Sequence, residues 1–278
     1  MKEQYALVTG ASSGIGKAIA ESCARRQINL ALVALPNENL EELSYSLAGK
    51  YHVKVVFLEL DLTELHSAET VFKWCKEMNI GINILVNNAG VGSQGNFSDF
   101  EGAFYTNLIG LNVIAPTLLT RKFLPELKLR QRAHILNVSS MAGFMPIPFK
   151  SVYAASKSYV TTFSEALHEE LKHTSVCVST LCPAGVDAFG YSSKSIDRIG
   201  WIAKVGRLKP VEVAEIAVAG MLKRRRRIIP GIINVLFHYL TRTLPTRFKA
   251  WLVYWVLNKF HQRPRKESLE AERKNTTL

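Results

Sequence analysis

The sequence predicts an α/β fold with a parallel sheet, and three observations point there. Short apolar runs recur at 5–9, 30–35, 53–58, 82–86, 134–138 and 175–181. The segments between them carry helical periodicity, as in LEELSYSLAGK and ETVFKWCKEM. Strands that alternate with helices require right-handed crossovers and therefore parallel neighbours. The chain of 278 residues is long enough for one such domain with a large buried core.

The first run, YALVT at 5–9, leads directly into GASSGIGKAIAESCARR. This reads as strand, glycine-rich turn and helix. Gly10, Gly14 and Gly16 permit a tight turn and let a pyrophosphate approach the positive end of the helix. Their spacing, GxxxGxG, differs from the GxGxxG dinucleotide fingerprint but rests on the same physics. The second run closes on Ala34, Leu35 and Pro36, the fourth on the stretch NNAG at 87–90, and the fifth on Ser139 and Ser140. Such a sheet binds its ligand at the carboxyl ends of its strands, where these motifs fall. Tyr153 and Lys157 are four apart, so on a helix they share one face. A lysine ammonium beside a phenol favours the phenolate and makes Tyr153 a candidate proton donor and acceptor.

TGASSGIG at 9–16, NNAG at 87–90, Asn107, Ser140 and Tyr153 with Lys157 stand in the order and spacing of the short-chain dehydrogenase/reductase family, which residues 1 to about 230 resemble. The resemblance implies a Rossmann-type, doubly wound sheet of about seven parallel strands with helices on both faces. It implies hydride transfer between a nicotinamide cofactor and a carbonyl or alcohol carbon. Ser140, thirteen residues before Tyr153, matches the family serine better than Ser139. Tyr153 would move the proton, Ser140 would hold the substrate oxygen, and Lys157 would tune the tyrosine and bind the nicotinamide ribose. Asn107, in FYTNLIGLN, would hold a relay water through its backbone. The cofactor would meet Gly10, Ser12, Ser13, Gly14, Ile15, Gly16, Asp61, Leu62, Asn88, Ala89, Gly90, Tyr153, Lys157, Pro183 and Val186.

Two departures bear on the cofactor. The end of the second strand offers neither the acidic residue that usually selects NAD nor the arginine that usually selects NADP. The cofactor is therefore NADP or NAD, and the absence of an acidic residue there to repel a phosphate leans slightly toward NADP. After the sixth strand the family's PGxVxT becomes Pro183, Ala184, Gly185, Val186, Asp187, Ala188, without the threonine. The stretch from Ala188 to about Lys209 would cover the substrate, and its Phe189, Tyr191 and Trp201 suit a large or apolar one.

The tail has a character of its own. Fourteen Lys or Arg against three Glu from Lys223 to Leu278 account for all but one unit of the net charge of +12. The sequence therefore divides into a catalytic domain at 1–230, a basic amphipathic helical extension at 231–266 and a polar, disordered end at 267–278. Basic residues interleaved with Trp, Tyr and aliphatics suit a helix lying on an anionic membrane surface, and the run Arg224, Arg225, Arg226 and Arg227, just before the first apolar segment of the tail, is expected to meet its phosphates. Packing on the domain or on a second subunit is the alternative. No nucleic-acid motif accompanies the charge, so nucleic acid is not an expected partner. The first strand follows Met1 too closely for a signal peptide, and the four cysteines lack paired spacing. A cytoplasmic protein, peripheral on the membrane face, is expected, as a homo-oligomer. The seven histidines form no ligand pattern, and no metal is expected. The tail and the range of the family it resembles imply, as the expected substrate, a lipophilic ketone or alcohol such as a ketoacyl, sphingoid or steroid-like one. A nucleotide-binding scaffold without turnover is the other reading.

Overall fold

The computed structural model describes residues 4–184, 206, 208–255 and 257–258. Its elements run β1 (Gln4–Thr9), α1 (Gly14–Ala24), β2 (Asn29–Ala34), α2 (Leu40–Tyr51), β3 (Val55–Glu59), α3 (Ser67–Glu77), β4 (Gly81–Asn87), α4 (Gly102–Ile109) and α5 (Ala115–Lys128). Then come β5 (Ala133–Val138), α6 (Ser151–Glu170), β6 (Val176–Leu181), α7 (Pro210–Leu222), β7 (Arg227–Ile228) and α8 (Ile232–Arg242), with a further helical stretch at 246–255. A π-helical turn, Gly110–Ile114, joins α4 to α5, and a 3₁₀ turn, Met141–Phe144, follows β5.

All seven strands are parallel, in the order β3-β2-β1-β4-β5-β6-β7. The continuous apolar runs follow from this architecture, because successive side chains leave the sheet on opposite faces and both faces are covered. Ala6 and Val8 pack with α1, α2 and α7, whereas Tyr5 and Leu7 pack with α3, α5 and α6. Strand order reverses between β1 and β4, and a doubly wound sheet opens its binding crevice at such a reversal.

The expected strands all form, with shifts at their ends. The third begins at Val55 rather than residue 53, because His52 caps α2 with left-handed backbone and Asn29 binds the N–H of Lys54. The seventh strand has no apolar run of its own. It is Arg227–Ile228, within the arginine run expected to meet membrane phosphates. That expectation is corrected for three of the four arginines. Pairing with β6 draws them onto the domain, where Arg224 binds the Ser175 carbonyl, Arg226 binds Glu169 and Arg227 binds Glu165. The polar end at 267–278 lies outside the described residues.

Phe123 of α5 is fully buried and meets Phe72 of α3 edge to face at 5.2 Å. Phe123→Ala should lower the unfolding free energy by about 3–5 kcal/mol, the cost of truncating a large core side chain. Chemical denaturation of the two proteins measures it. A loss below about 1 kcal/mol would mean this face is not close-packed.

Candidate active site

The glycine loop folds as its sequence requires. Gly10 and Gly14 have φ of +61° and +55°, in the left-handed region that side chains disfavour. A Cβ on Gly16 would lie 2.0 Å from the Gly10 carbonyl, so only glycine lets α1 start this close to β1. Ser13, at the N-cap, makes no side-chain capping bond, and the first turn holds no acidic residue. The first N–H groups of α1 are thus left for an anion, which fits a dinucleotide pyrophosphate. Ile15 behind the loop packs on the core.

Across the crevice, the NNAG stretch is tied to the same loop. Asn88 donates its side-chain amide to the carbonyls of Thr9 and Gly10, both at 3.0 Å. The Thr9 hydroxyl accepts the N–H groups of Asn88 and Ala89 at 3.0 and 3.1 Å. Asp61 and Leu62 follow β3 at the same end of the sheet. The Asp61 carboxylate accepts the N–H and hydroxyl of Thr63, and Leu62 is buried.

On the other side of the switch point, Tyr153 and Lys157 share the first turns of α6 as their spacing predicts. The Lys157 ammonium lies 5.9 Å from the Tyr153 ring centre. It is 6% exposed and donates to the Val138 carbonyl at 2.9 Å. Burial pushes its pKa down to about 8. The Tyr153 ring faces the loop after β4, since a Cβ on Gly92 would stand 4.0 Å from it. A Cβ on Gly90 would stand 3.3 Å from the Lys157 nitrogen, so Gly90 leaves this corner open.

The two serines are distinguished by their bonding. The Ser139 hydroxyl is buried, donating to the Lys157 carbonyl and meeting Thr161, both at 2.7 Å. Ser140 begins the 3₁₀ turn, and its oxygen accepts only the Ala142 N–H among the described residues. Among the described residues its own proton has no acceptor. Pro183 holds this turn by accepting the Met141 N–H at 2.9 Å. Val186 and the aromatic residues expected to cover the substrate, Phe189, Tyr191 and Trp201, lie outside the described residues.

Two expectations are corrected. Asn107 is exposed on α4, and its carbonyl accepts the Gly110 N–H that closes the helix. Asn112, five residues on, is the asparagine that reaches the site. It is 1% exposed within the π turn, where the N–H of Ala115 reaches back five residues to Gly110. Its amide binds both backbone groups of Val91 at 2.9 Å and donates to Ser156 at 3.0 Å, and Ser156 donates to the Tyr153 carbonyl at 2.7 Å. Such a π turn often marks a functional position. FYTNLIGLN contains both asparagines, and no periodic pattern shows which one the inserted residue turns inward. The second correction concerns charge near the cofactor. Glu38, in the loop after β2, brings its carboxylate onto the Ser12 hydroxyl. An acidic group therefore does border the glycine loop, and the sequence ground for favouring NADP falls away.

Among the described residues no group of three or more His, Cys, Asp or Glu could hold a metal. Of the cysteines, burial pushes Cys23, Cys75 and Cys182 up to about 12.

The model of the short chain dehydrogenase family matches residues 4–197. A very-long-chain 3-oxoacyl-CoA reductase-A of Danio rerio is 33% identical over 185 residues, covering 65% of this chain and 57% of that protein. The chain thus spans little more than half the matched relative's length. A short-chain dehydrogenase/reductase of Burkholderia phymatum, solved in complex with NAD, superposes with a TM-score of 0.76 at 25% identity, covering 87% of this chain and 93% of that one. A short-chain dehydrogenase of Sphingobium yanoikuyae, solved in complex with NADPH, gives 0.71 at 29% identity, covering 88% and 97%.

Gly16→Ala forces a methyl group onto the Gly10 carbonyl. The loop must shift, and NADH affinity should fall roughly tenfold or more while far-UV circular dichroism stays that of a folded α/β protein. Fluorescence titration checks this. Unchanged affinity would remove the glycine loop from the cofactor site.

Proposed function

The chain belongs to the short-chain dehydrogenase family, and on that footing we propose that it is an NAD(P)-dependent oxidoreductase interconverting a ketone and a secondary alcohol on a lipophilic substrate. The observation that carries this is the buried Lys157 ammonium beside Tyr153, with Ser140 left free to donate. The bound nicotinamide would supply or accept the hydride. Tyr153 gives its proton to the substrate oxygen during reduction and takes it back during oxidation. Ser140 donates to the same oxygen and orients the carbonyl. Lys157 favours the phenolate electrostatically and offers its remaining protons to the ribose. Asn112, through Ser156, holds the first turn of α6 in position. The α1 N-terminus binds the pyrophosphate. Both phosphate states of the cofactor stay compatible with the loop, because Glu38 is exposed and its bond to Ser12 can yield.

A ketoacyl substrate is favoured by the relative whose name is a 3-oxoacyl-CoA reductase. Association with a membrane surface is supported by α8, whose polarity is inverted. Asn234 and His238 face the protein, while Ile232, Leu236 and Leu240, at 88%, 59% and 61% exposure, form an outward stripe. Phe248, Trp251 and Trp255 extend the exposed apolar surface along 246–255. Among the described residues one helical run, Gly102–Lys128, is long and apolar enough to cross a bilayer. Its Leu119, Phe123 and Leu127 fill the core beneath the sheet, which makes it a domain helix. Ile114 and Leu118 on that run and Tyr159 on α6 stay exposed, a surface suited to a second copy of this chain.

Tyr153→Phe should leave cofactor binding intact and lower turnover by a factor of ~100 or more, read by NAD(P)H oxidation against ketones of graded chain length. Near-normal turnover would sink the assignment. Cofactor affinity should fall as pH rises through about 8, where Lys157 loses its proton, and Lys157→Ala should show weak binding without that dependence. A flat wild-type profile would take the lysine out of cofactor binding.

The protein should also co-sediment with anionic vesicles and release in part at high salt. Replacing Ile232, Leu236 and Leu240 together by Glu should abolish binding without unfolding the protein. Equal binding by the triple variant would assign α8 to another role.

A further inference from the structure

Behind α8 lies a cavity of about 260 Å³ that the chemistry above does not use. It is lined by Phe144, Arg227, His238, Thr241, Arg242 and Lys249. The lining contains three cations and no carboxylate. Glu165 reaches Arg227 from α6 and neutralises it. Among the described residues no carboxylate pairs with Arg242 or Lys249, so within that set the lining carries two cations without an acidic partner.

His238 makes the cavity a shaped one. It is 6% exposed, and its Nε2 accepts from the Arg227 guanidinium at 2.8 Å. That bond leaves the ring neutral with its proton on Nδ1, which finds no partner among the described residues. Burial first, then Arg227 and Arg242, hold the ring's pKa below its ordinary value, so it stays neutral near pH 7. Phe144 closes the floor, 4.1 Å from the His238 ring and 5.2 Å from the Arg227 guanidinium. Within the described residues, a buried N–H donor without an acceptor thus stands beside two cations without an acidic partner, an arrangement that suits an oxyanion. The space is below the usual range of about 300–1,000 Å³ for organic ligands but ample for an oxyanion and its waters.

We propose that this cavity is a binding site for a phosphate group, a phosphomonoester or a diphosphate, held by Arg242 and Lys249 over the Phe144–His238 floor. Its position says why such a site would be useful. Phe144 ends the 3₁₀ turn that begins at Ser140, so the cavity borders the turn that bears the substrate serine at roughly 8 Å of backbone rise. The exposed stripe of α8 begins on its outer side. The phosphate could therefore belong to the carrier of a thioester substrate or to the headgroup of an anionic lipid. The first source rests on the ketoacyl reading of the function, and the second does not.

Isothermal titration with pyrophosphate of the full-length protein saturated with NADH, so that the α1 N-terminus is already occupied, tests the site directly. The wild type should bind, and Arg242→Gln and Lys249→Gln should each weaken binding by about fivefold to tenfold, as expected for a charge-assisted contact at a half-open site. Both side chains are at least partly exposed, and thermal melts of the variants confirm folding. Binding that is absent, or equal in wild type and the double variant, overturns the proposal. The source is read separately. A raised KM of the double variant for an acyl-CoA, with an unchanged KM for the same acyl group on N-acetylcysteamine, assigns the phosphate to the carrier. Weaker binding of the double variant to phosphatidic acid vesicles, with equal kinetics on both thioesters, assigns it to lipid. If no thioester is reduced while pyrophosphate still binds, the ketoacyl reading fails and the phosphate site stands.

Discussion

The catalytic end of the molecule depends on how β1 and β4 are joined where strand order reverses. Two strands that lead to opposite wings of a parallel sheet would splay there. Thr9 and Asn88 prevent it by reciprocal bonding. The threonine hydroxyl donates to Val86 and takes the N–H groups of Asn88 and Ala89, while the asparagine amide spans the carbonyls of Thr9 and Gly10. These polar groups are buried or nearly so, and each would be costly to leave unpaired. The glycine loop is therefore fixed to the NNAG loop before any ligand arrives. Gly16 completes the junction because α1 can press against the Gly10 carbonyl.

A second constraint works through one cation. Burying an ammonium is unfavourable, and this desolvation lowers the pKa of Lys157. The fold tolerates it because the lysine is held at both ends. Its nitrogen donates to Val138, and its carbonyl receives Ser139 and Thr161. These bonds register the end of β5 against the start of α6, and so set Ser140 beside the helix that carries Tyr153. The π turn adds a third support through Asn112 and Ser156. Functional side chains here are positioned by backbone carbonyls of rigid elements, which suits a site that needs fixed angles.

At the far edge of the sheet the logic is electrostatic. β7 has two residues, too few for a strand to hold by ladder bonds alone. Ion pairs from Arg226 and Arg227 to Glu169 and Glu165 of α6 assist it. Arg227 also binds His238, so the same guanidinium anchors α8. Once that helix turns its histidine and asparagine inward, its aliphatic residues have no core to enter. The exposed stripe on α8 is thus a consequence of how the domain edge is closed.

How much of this was legible in the sequence follows from where the determining interactions lie. The six long strands, the glycine loop, and the placing of Tyr153 and Lys157 on one helical face depend on local pattern and fixed spacing. Apolar runs, a left-handed backbone requirement and a four-residue helical step are properties of short segments. Asn112, Glu38 and β7 were not legible. An inserted residue in a helix, a carboxylate crossing from one loop to another, and an arginine run recruited by acids about sixty positions earlier are decided between segments. Sequence alone therefore determined the family this chain belongs to and the elements on which its candidate residues lie. Only the tertiary structure decided which asparagine faces the site and which arginines are drawn onto the domain, because those depend on partners brought close by packing and not by spacing along the chain.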